Sequence, residues 1–232
     1  FQSAQTNIFF LSISTMAKDV SVLIPARDEE FAARTAHHVL DMARADTEVI
    51  LCLDGAWADP PVSDRKKLHV IHFTEPLGQR AATNAAAQLS RAKYVCKLDA
   101  HCAVSKGFDA QLMQDCQPDW TLVPLMYNLH AFDWKCQACG DRTYQGFKPK
   151  MCSKCQQPGP FEKAIVWSPR RRYKTVSWRF DKELHFQYWR SRKLENKDAH
   201  FIETMSFIGA CMFLERKRYW DLGGMDENHG SW

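Results

Sequence analysis

Acidic residues and one histidine follow two apolar segments of the sequence, where they could bind a cation or a phosphate. Asp54 ends the apolar stretch 48–53, and Asp99 ends the stretch 94–98, with His101 two positions later. Carboxylate and imidazole groups bind divalent cations, and the imidazole favours Mn²⁺ over Mg²⁺ because magnesium prefers oxygen ligands. We therefore predict a site for Mn²⁺, or Mg²⁺, formed by Asp99 and His101. Turn or helix capping is the alternative for any single aspartate.

Four of the nine cysteines form two Cys-x₂-Cys pairs separated by twelve residues. They are Cys136, Cys139, Cys152 and Cys155. Two such pairs predict a tetrahedral Zn²⁺ site, which should be structural because the protein supplies all four ligands. Disulfide bonds are the alternative, but paired cysteines in a large, core-rich chain favour a reduced compartment. We therefore predict a cytoplasmic location.

Apolar segments alternate with amphipathic ones along most of the chain. Strands are predicted at residues 20–24, 48–53, 68–73, 94–98, 120–126 and 207–216, and helices at residues 29–45 (with Asp28 as the N-cap), 78–90 and 217–222. Strands separated by helices form mostly parallel sheets, so the predicted class is α/β with helices on both faces of the sheet. In such sheets ligands bind beyond the carboxyl ends of the strands, which is where the predicted cation site falls.

The sequence has neither of the common glycine-rich phosphate loops. No Gly-x-Gly-x-x-Gly follows the first predicted strand, and Gly-x-x-x-x-Gly-Lys-Ser/Thr does not occur. The diphosphate of a nucleotide bound at this sheet would therefore be held in another way. A divalent cation on Asp99 and His101 is the natural substitute.

Five segments, taken in order, resemble the family 2 glycosyltransferases of the GT-A fold and the related polypeptide GalNAc transferases. They are residues 20–30 (VSVLIPARDEE), 48–55 (EVILCLDG), 78–84 (GQRAATN), 97–102 (KLDAHC) and 209–227, which ends in Gly-Gly-Met-Asp-Glu. The resemblance implies a Rossmann-like, nucleotide-sugar-binding sheet. It also implies an enzyme that transfers a hexose or HexNAc from a UDP-sugar to a hydroxyl acceptor.

This resemblance also implies which residues bind the donor. The nucleoside base is expected against Pro25, Ala26, Arg27, Asp28 and Asp54. The Asp54 carboxylate suits the N3–H of uracil because it is an acceptor without a competing donor. Arg80 is expected over the base or the diphosphate, where a guanidinium binds phosphate oxygens in a forked geometry, and Asn84 is expected to support the same region. A solvated helix face is the alternative for Arg80 and Asn84.

Similar enzymes hold Mn²⁺ or Mg²⁺ against the donor diphosphate with Asp-x-Asp or Asp-x-His, which assigns Asp99 to both the donor and the metal. The metal would neutralise charge on the departing nucleotide. In these enzymes Gly-Gly-x-Asp-Glu precedes the catalytic segment, whereas this sequence stops at Trp232. Either the catalytic carboxylate lies beyond that point, or Asp226 or Glu227 takes its role.

Basic and aromatic residues alternate in residues 167–180 and 188–193. Such interleaving beside a zinc ribbon is typical of polyanion-binding surfaces, so a hydroxymethylated base in DNA is one acceptor hypothesis. An acceptor loop with aromatic packing, or a diphosphate clamp, is the alternative. Two other functions also stay open: a non-catalytic nucleic-acid-binding protein, and a nucleotidyltransferase, for which the glycine-rich, lysine-bearing loop is missing.

The 232 residues are enough for one α/β domain with an insertion. We predict a tag or disordered leader over 1–16, a nucleotide-sugar-binding half over 17–130, a zinc-binding insertion over 131–160, and an acceptor-side half over 161–232 that stops before the catalytic segment. The formal charge of +4 tolerates an anionic substrate without requiring nucleic acid. No apolar run approaches the roughly 20 residues that span a bilayer, so no membrane span is predicted.

Overall fold

A computed structural model describes residues 18–173, 177–195 and 199–229, apart from the side chains of residues 171–173 and 193–195. The strands are β1 (Val20–Ala26), β2 (Thr47–Asp54), β3 (Leu68–Phe73), β4 (Tyr94–Leu98), β5 (Tyr127–Cys136), β6 (Arg142–Tyr144), β7 (Phe161–Tyr173), β8 (Trp178–Phe180), β9 (Phe186–Tyr188) and β10 (Cys211–Glu215). The helices are α1 (Ala32–Met42), α2 (Gln79–Leu89), α3 (Phe108–Asp115), α4 (Arg190–Glu195) and α5 (Arg216–Asp221). The predicted leader over residues 1–16 lies outside the described residues.

The main sheet has the strand order β10-β4-β1-β2-β3, in which β10 is antiparallel and the other four strands are parallel. Every residue of β1, β2 and β4 is buried, as expected of parallel strands that are covered on both faces. Their sequences are correspondingly almost continuous apolar runs. The predicted α/β class with a mostly parallel sheet is confirmed.

Helices cover both faces of this sheet. Successive residues of β1 point to opposite faces, so Val22 packs against α1 while Leu23 packs against α2. The helices meet the sheet through small residues, such as Ala36 of α1 and Ala86 of α2, both of which are fully buried. The backbones of helix and sheet therefore approach closely, and the carboxyl edge of the sheet is held firmly in place.

Three local predictions differ from the structure. Residues 120–126 do not form a strand: Leu122 makes one isolated antiparallel bridge to Phe213, and Pro124 has no N–H with which to extend it. Asp28 is not the N-cap of α1, because it lies exposed at φ 49° and the helix begins only at Ala32. The strand predicted over 207–216 forms only at β10, and Arg216, the last residue of the predicted range, is the first residue of α5.

A second sheet is antiparallel and has three strands in the order β6-β5-β7. One of the four paired cysteines ends β5, and the other three lie in the turns that connect these strands. We call it the cysteine sheet; it spans residues 127–173 and so extends beyond the predicted insertion at 131–160. It contacts the segment before α1 through the Phe31 ring, which lies 6.2 Å from Phe132 and 5.4 Å from Trp167. An ion pair between Lys163 and Glu30 adds to this contact. The cysteine sheet is therefore fixed beside the carboxyl edge of the main sheet.

In the ranges that the structure describes, no helix combines the length and the apolar character needed to cross a membrane.

A buried carboxylate joins α3 to the connection between α1 and β2. Asp109 is inaccessible to solvent, and it accepts hydrogen bonds from the backbone N–H groups of Arg44 and Ala45 at 3.0 Å and from the Thr47 hydroxyl at 2.6 Å. Burial alone would raise the pKa of Asp109, but these hydrogen bonds outweigh it and lower the pKa below its usual value. The charged form of Asp109 therefore stabilises the fold.

We predict that Asp109→Asn lowers the free energy of unfolding at pH 7 by about 1.5–3 kcal/mol, because bonds to a charged acceptor are lost. The lowered pKa means that this contribution is present above the unfolded-state value of about 3.9 and is lost as the pH falls through the folded-state value. The difference between the variant and the parent protein should therefore shrink below about pH 4, as measured by urea unfolding. Asp119→Asn, at an exposed carboxylate, serves as the control. If Asp109→Asn destabilised the protein equally at pH 7 and below about pH 4, the stabilising role of the charged carboxylate would be contradicted.

Candidate functional site

The carboxyl ends of β4, β1 and β2 lie side by side at one edge of the main sheet. This order brings Asp99, Arg27 and Asp54 to the same edge, because the three strands are parallel neighbours. Pro25 and Ala26, which the sequence assigned to the nucleoside base, are buried within β1, whereas Arg27 is half-buried and Asp28 is exposed. Direct access to a ligand at this point is therefore offered by Arg27 and Asp28.

Asp54 is buried at this edge and is bound by three donors of the chain itself. Its carboxylate accepts a hydrogen bond from Arg27 Nη2 at 2.6 Å and from the backbone N–H groups of Leu77 at 2.6 Å and Gly78 at 2.9 Å. Burial raises the pKa of Asp54, but these donors, with the Leu77 N–H first among them, lower it overall. Asp54 thus fixes both the Arg27 guanidinium and the turn that starts α2. Its predicted contact with a base stays a prediction.

Asp99 lies next to a buried lysine. Lys97 is 2% exposed, and its ammonium contacts Asp99 Oδ1 and the backbone carbonyl of Gly209. Gln79, at the start of α2, donates a longer hydrogen bond of 3.4 Å to the same oxygen. The carboxylate is therefore aligned from two sides, while its Oδ2 atom takes part in none of these contacts. Sequence reasoning missed Lys97, although a lysine inside an apolar strand is a visible signal.

His101 is held by Glu29. Its Nδ1 lies 2.9 Å from Glu29 Oε2, while the other Glu29 oxygen accepts the Phe31 N–H at 3.1 Å. The hydrogen bond from His101 lowers the pKa of Glu29, and Glu29 in turn raises the pKa of His101. Because an ionised carboxylate only accepts, Nδ1 carries a proton, and in the neutral imidazole Nε2 has the lone pair that a metal requires. Glu29 was also missed, since nothing in the sequence separates it from the neighbouring Glu30.

The atoms left over by these contacts suit a divalent cation. Asp99 offers Oδ2 and His101 offers Nε2, an oxygen and a nitrogen donor of the kind that Mn²⁺ accepts. Across residues 18–173, 177–195 and 199–229, the only group of three or more close metal-ligating side chains is the cysteine cluster. A cation at Asp99 and His101 would therefore need further ligands, which phosphate oxygens of a nucleotide supply.

Asn84 binds the segment that carries the two predicted catalytic carboxylates. Its amide nitrogen donates to Met225 O at 2.9 Å and to Glu227 Oε1 at 2.7 Å, and its oxygen accepts from Tyr219 Oη at 2.5 Å and Met225 N at 2.9 Å. All the hydrogen-bonding capacity of the amide is used, and Asn84 is 5% exposed, which excludes a solvated helix face. Gly224 lies so close that an added Cβ would stand 2.9 Å from Asn84 Oδ1.

The other predicted residues of this region are more exposed. Arg80 is half-buried in the first turn of α2, close in sequence to the Asp54-bound turn. Asp226 is exposed and accepts a hydrogen bond from Asn228 N at 3.0 Å. The structure thus brings Arg27, Asp54 and Asp99 to one edge and ties Glu227 to α2 through Asn84.

All nine cysteines are free, and the four paired ones form a compact cluster. The sulfurs of Cys136 and Cys155 are 3.8 Å apart and those of Cys139 and Cys152 are 3.6 Å apart, with all four ligand atoms within 4.8 Å of one another. A tetrahedron with metal–sulfur bonds of about 2.3 Å has edges of about 3.8 Å, so the cluster fits a Zn²⁺ ion.

The two cysteine pairs sit in matching turns. Gly140 N donates to Cys136 O at 2.8 Å, and Gln156 N donates to Cys152 O at 3.0 Å. Gly140 and Gln156 both have positive φ angles, 75° and 58°. The pKa of Cys152 is lowered to about 7, chiefly by a hydrogen bond from the backbone N–H of Cys155. The lower pKa favours the thiolate that a metal requires.

We predict that the purified chain contains one zinc ion and that Cys152→Ser loses it, because three thiolates bind Zn²⁺ more weakly than four. Metal analysis by mass spectrometry after dialysis measures this directly. The variant should also unfold at a lower temperature, since Phe161 is the one buried apolar side chain packed on the cluster, apart from its own cysteines, among the described residues. Cys116→Ser, at a buried cysteine outside the cluster, should retain the metal. Full zinc content in Cys152→Ser would refute the site.

Residues 21–126 match the family model described as Glycosyl transferase family 2. No curated protein gave a significant match. The matched segment is a little under half of the chain and contains the ends of β1, β2 and β4, whereas the cysteine sheet begins directly after it. Together with the mostly parallel sheet covered on both faces, this match supports a glycosyltransferase of the GT-A fold.

Proposed function

We propose that this chain transfers a hexose or HexNAc from a UDP-sugar to a hydroxyl acceptor, using a divalent cation bound by Asp99 and His101. The observation that carries the proposal is the arrangement of this pair at the carboxyl edge of the sheet. Asp99 is aligned by Lys97 and Gln79, and His101 is turned by Glu29 so that Nε2 is available. Carboxylate partners behind metal-binding histidines are a general feature of protein metal sites.

The donor nucleotide is placed on the α2 side of Asp99. Arg27 and Arg80 supply cationic groups there for the diphosphate, and Asp28 remains exposed for polar contact with the nucleoside. Backbone N–H groups at the start of α2 add a favourable field for an anion. Mn²⁺ is proposed over Mg²⁺ because one of the two protein ligands is a nitrogen.

A bound divalent cation supplies Lewis-acid stabilisation of the leaving diphosphate. The chain's own residues position the reacting groups around it. Lys97 holds Asp99 in one orientation, and Asn84 holds Glu227 by a 2.7 Å hydrogen bond. Asp226 and Glu227 are proposed as the catalytic carboxylates. Family similarity favours this chemistry over nucleotidyl transfer, and the Zn²⁺ of the cysteine cluster is proposed to be structural.

A nucleic-acid acceptor is the second candidate, and one surface favours it. Phe180, Phe186 and Tyr188 lie on one face of the β8–β9 hairpin and are each 40% or more exposed. The guanidinium groups of Arg179, in β8, and Arg192, in α4, lie 6.0 and 5.1 Å from the Trp189 ring. Exposed aromatics beside cations are suited to stacking bases and binding phosphates. A hydroxymethylated base in DNA would then be the acceptor, and affinity would fall steeply with salt.

Substitution of Asp99 tests the metal-dependent activity. With Mn²⁺ and a panel of UDP-sugars, release of UDP should fall at least about 100-fold in Asp99→Asn, because stabilisation of the leaving group by a metal contributes several kcal/mol. Glu29→Gln keeps both ligands but loses the charged partner of His101, so its apparent affinity for Mn²⁺ should fall about 10–100-fold.

The exposed Asp64→Asn is the matched control and should behave like the parent protein. Circular dichroism of each variant checks that the fold is retained. Normal turnover by Asp99→Asn in excess EDTA would show that the proposed metal site is wrong.

A further inference from the structure

A cavity of about 980 Å³ lies between the cysteine sheet and the carboxyl edge of the main sheet. The segment before α1 and His101 form one wall, and residues of β5 and the β6 region form the other. Its volume is at the upper end of the range of about 300–1,000 Å³ that is usual for ligand sites. The cysteine sheet, which lies outside the family match, therefore completes a site that the matched segment alone lacks.

The cavity borders the proposed cation through His101 and shares Asp28 with the proposed donor site, whereas Asp54, Arg80 and Asp99 do not line it. Asp99 contacts Gln79 of α2, whose start is bound to Asp54 through Leu77 and Gly78. His101, in contrast, contacts Glu29 and lines the cavity. A sugar linked to a diphosphate at this cation would thus border the cavity. This step rests on the proposed function.

Aromatic rings and hydrogen-bond acceptors line the cavity together. Phe31 and Phe132 have ring centroids 6.2 Å apart, and Tyr144, which is 42% exposed, adds a third ring from β6. The carboxylates of Asp28 and Asp59 also face it. Sugar rings present apolar C–H faces that pack on aromatic rings and hydroxyl groups that donate to carboxylates, so this combination suits a carbohydrate.

The charges of the lining exclude a polyanion as the preferred occupant. Glu30 is paired with the Lys163 ammonium, whereas Glu29 is hydrogen-bonded to His101, which is uncharged when its Nε2 binds a cation. Among the described lining residues, the carboxylates of Asp28 and Asp59 then leave a negative excess, which the Arg170 guanidinium, 4.9 Å from the Tyr144 ring, offsets only in part. A phosphate backbone would be repelled there, whereas a neutral sugar would not.

We propose that this cavity is the acceptor site and that it takes a neutral oligosaccharide, with the cysteine sheet as the element that determines acceptor specificity. Nucleic acid, which the β8–β9 hairpin favours, is the outcome that would replace it.

The experiment measures saccharide binding separately from catalysis. Maltotriose, cellotriose and triacetylchitotriose are each added to the zinc-loaded full chain, without donor or Mn²⁺, and binding is detected by saturation-transfer difference NMR. At least one trisaccharide should bind. Tyr144→Ala should weaken its binding about tenfold, through loss of one ring contact, and Asp59→Asn should weaken it through loss of one acceptor.

Phe147→Ala and Asp64→Asn are the matched controls, because Phe147 is fully exposed on the same sheet and Asp64 is exposed beyond the cavity. Both should bind like the parent protein. The bound trisaccharide should then act as acceptor when UDP-sugar and Mn²⁺ are present, with KM raised about tenfold in Tyr144→Ala.

Three results would overturn the proposal: no binding of any of the trisaccharides, binding that Tyr144→Ala leaves unchanged, or transfer only to an oligonucleotide carrying 5-hydroxymethylcytosine. Release of UDP without an acceptor is measured on the parent protein in parallel. UDP release without saccharide binding refutes the acceptor site alone, and saccharide binding without UDP release refutes the proposed function alone.

Discussion

Three acidic side chains at the carboxyl edge of the main sheet each form an ion pair with a basic side chain at the same edge. The pairs are Arg27 with Asp54, Lys97 with Asp99, and His101 with Glu29. Removing such charges from water is costly unless they are paired, and the parallel order of β4, β1 and β2 brings the partners together. The same pairing uses Asp99 Oδ1 and His101 Nδ1, so Asp99 Oδ2 and His101 Nε2 take part in neither pair. The stability of the edge and its proposed capacity to bind a cation therefore have one origin.

The Lys97 ammonium affects how a divalent cation would bind at this edge. An ammonium group already neutralises Asp99, so a divalent cation must bind beside a positive charge. In the proposed site a nucleoside diphosphate would offset that repulsion, because its own negative charge would be shared between the metal and Arg27. Metal and donor are therefore expected to bind together more tightly than either binds alone, which is a coupling free energy between two ligands.

The sequence predicted the edge well and its connections poorly. β1, β2 and β4 were found because strands buried on both faces must be almost continuously apolar, and this places Asp54 and Asp99 at once. The partners of those residues depend on tertiary contacts: Glu29 meets His101 across 72 residues of chain, and no local pattern encodes that distance. Asn84 was assigned to the donor, but its contacts with Met225 and Glu227 arise from packing between α2 and the segment after α5.

Two further differences have local causes. Pro124 removes the N–H that a strand at 120–126 needs, and the backbone reaches the main sheet only at Leu122. The cysteine pairs were recognisable from spacing alone, but the strands on either side of them were not. In β5 polar and apolar residues are mixed, and in β7 the short apolar run 164–167 is followed by Pro169 and three arginines. The cavity beside this sheet follows from the docking of Phe31 on Phe132 and Trp167, which no sequence pattern reveals.

The position of the cation is the central claim, and anomalous diffraction from crystals grown with UDP and Mn²⁺ tests it most directly. The account predicts one manganese peak bonded to an Asp99 oxygen, to His101 Nε2 and to diphosphate oxygens, with His101 Nδ1 still on Glu29. A manganese peak bonded to other residues, with UDP bound and Asp99 contacting only Lys97, would contradict it.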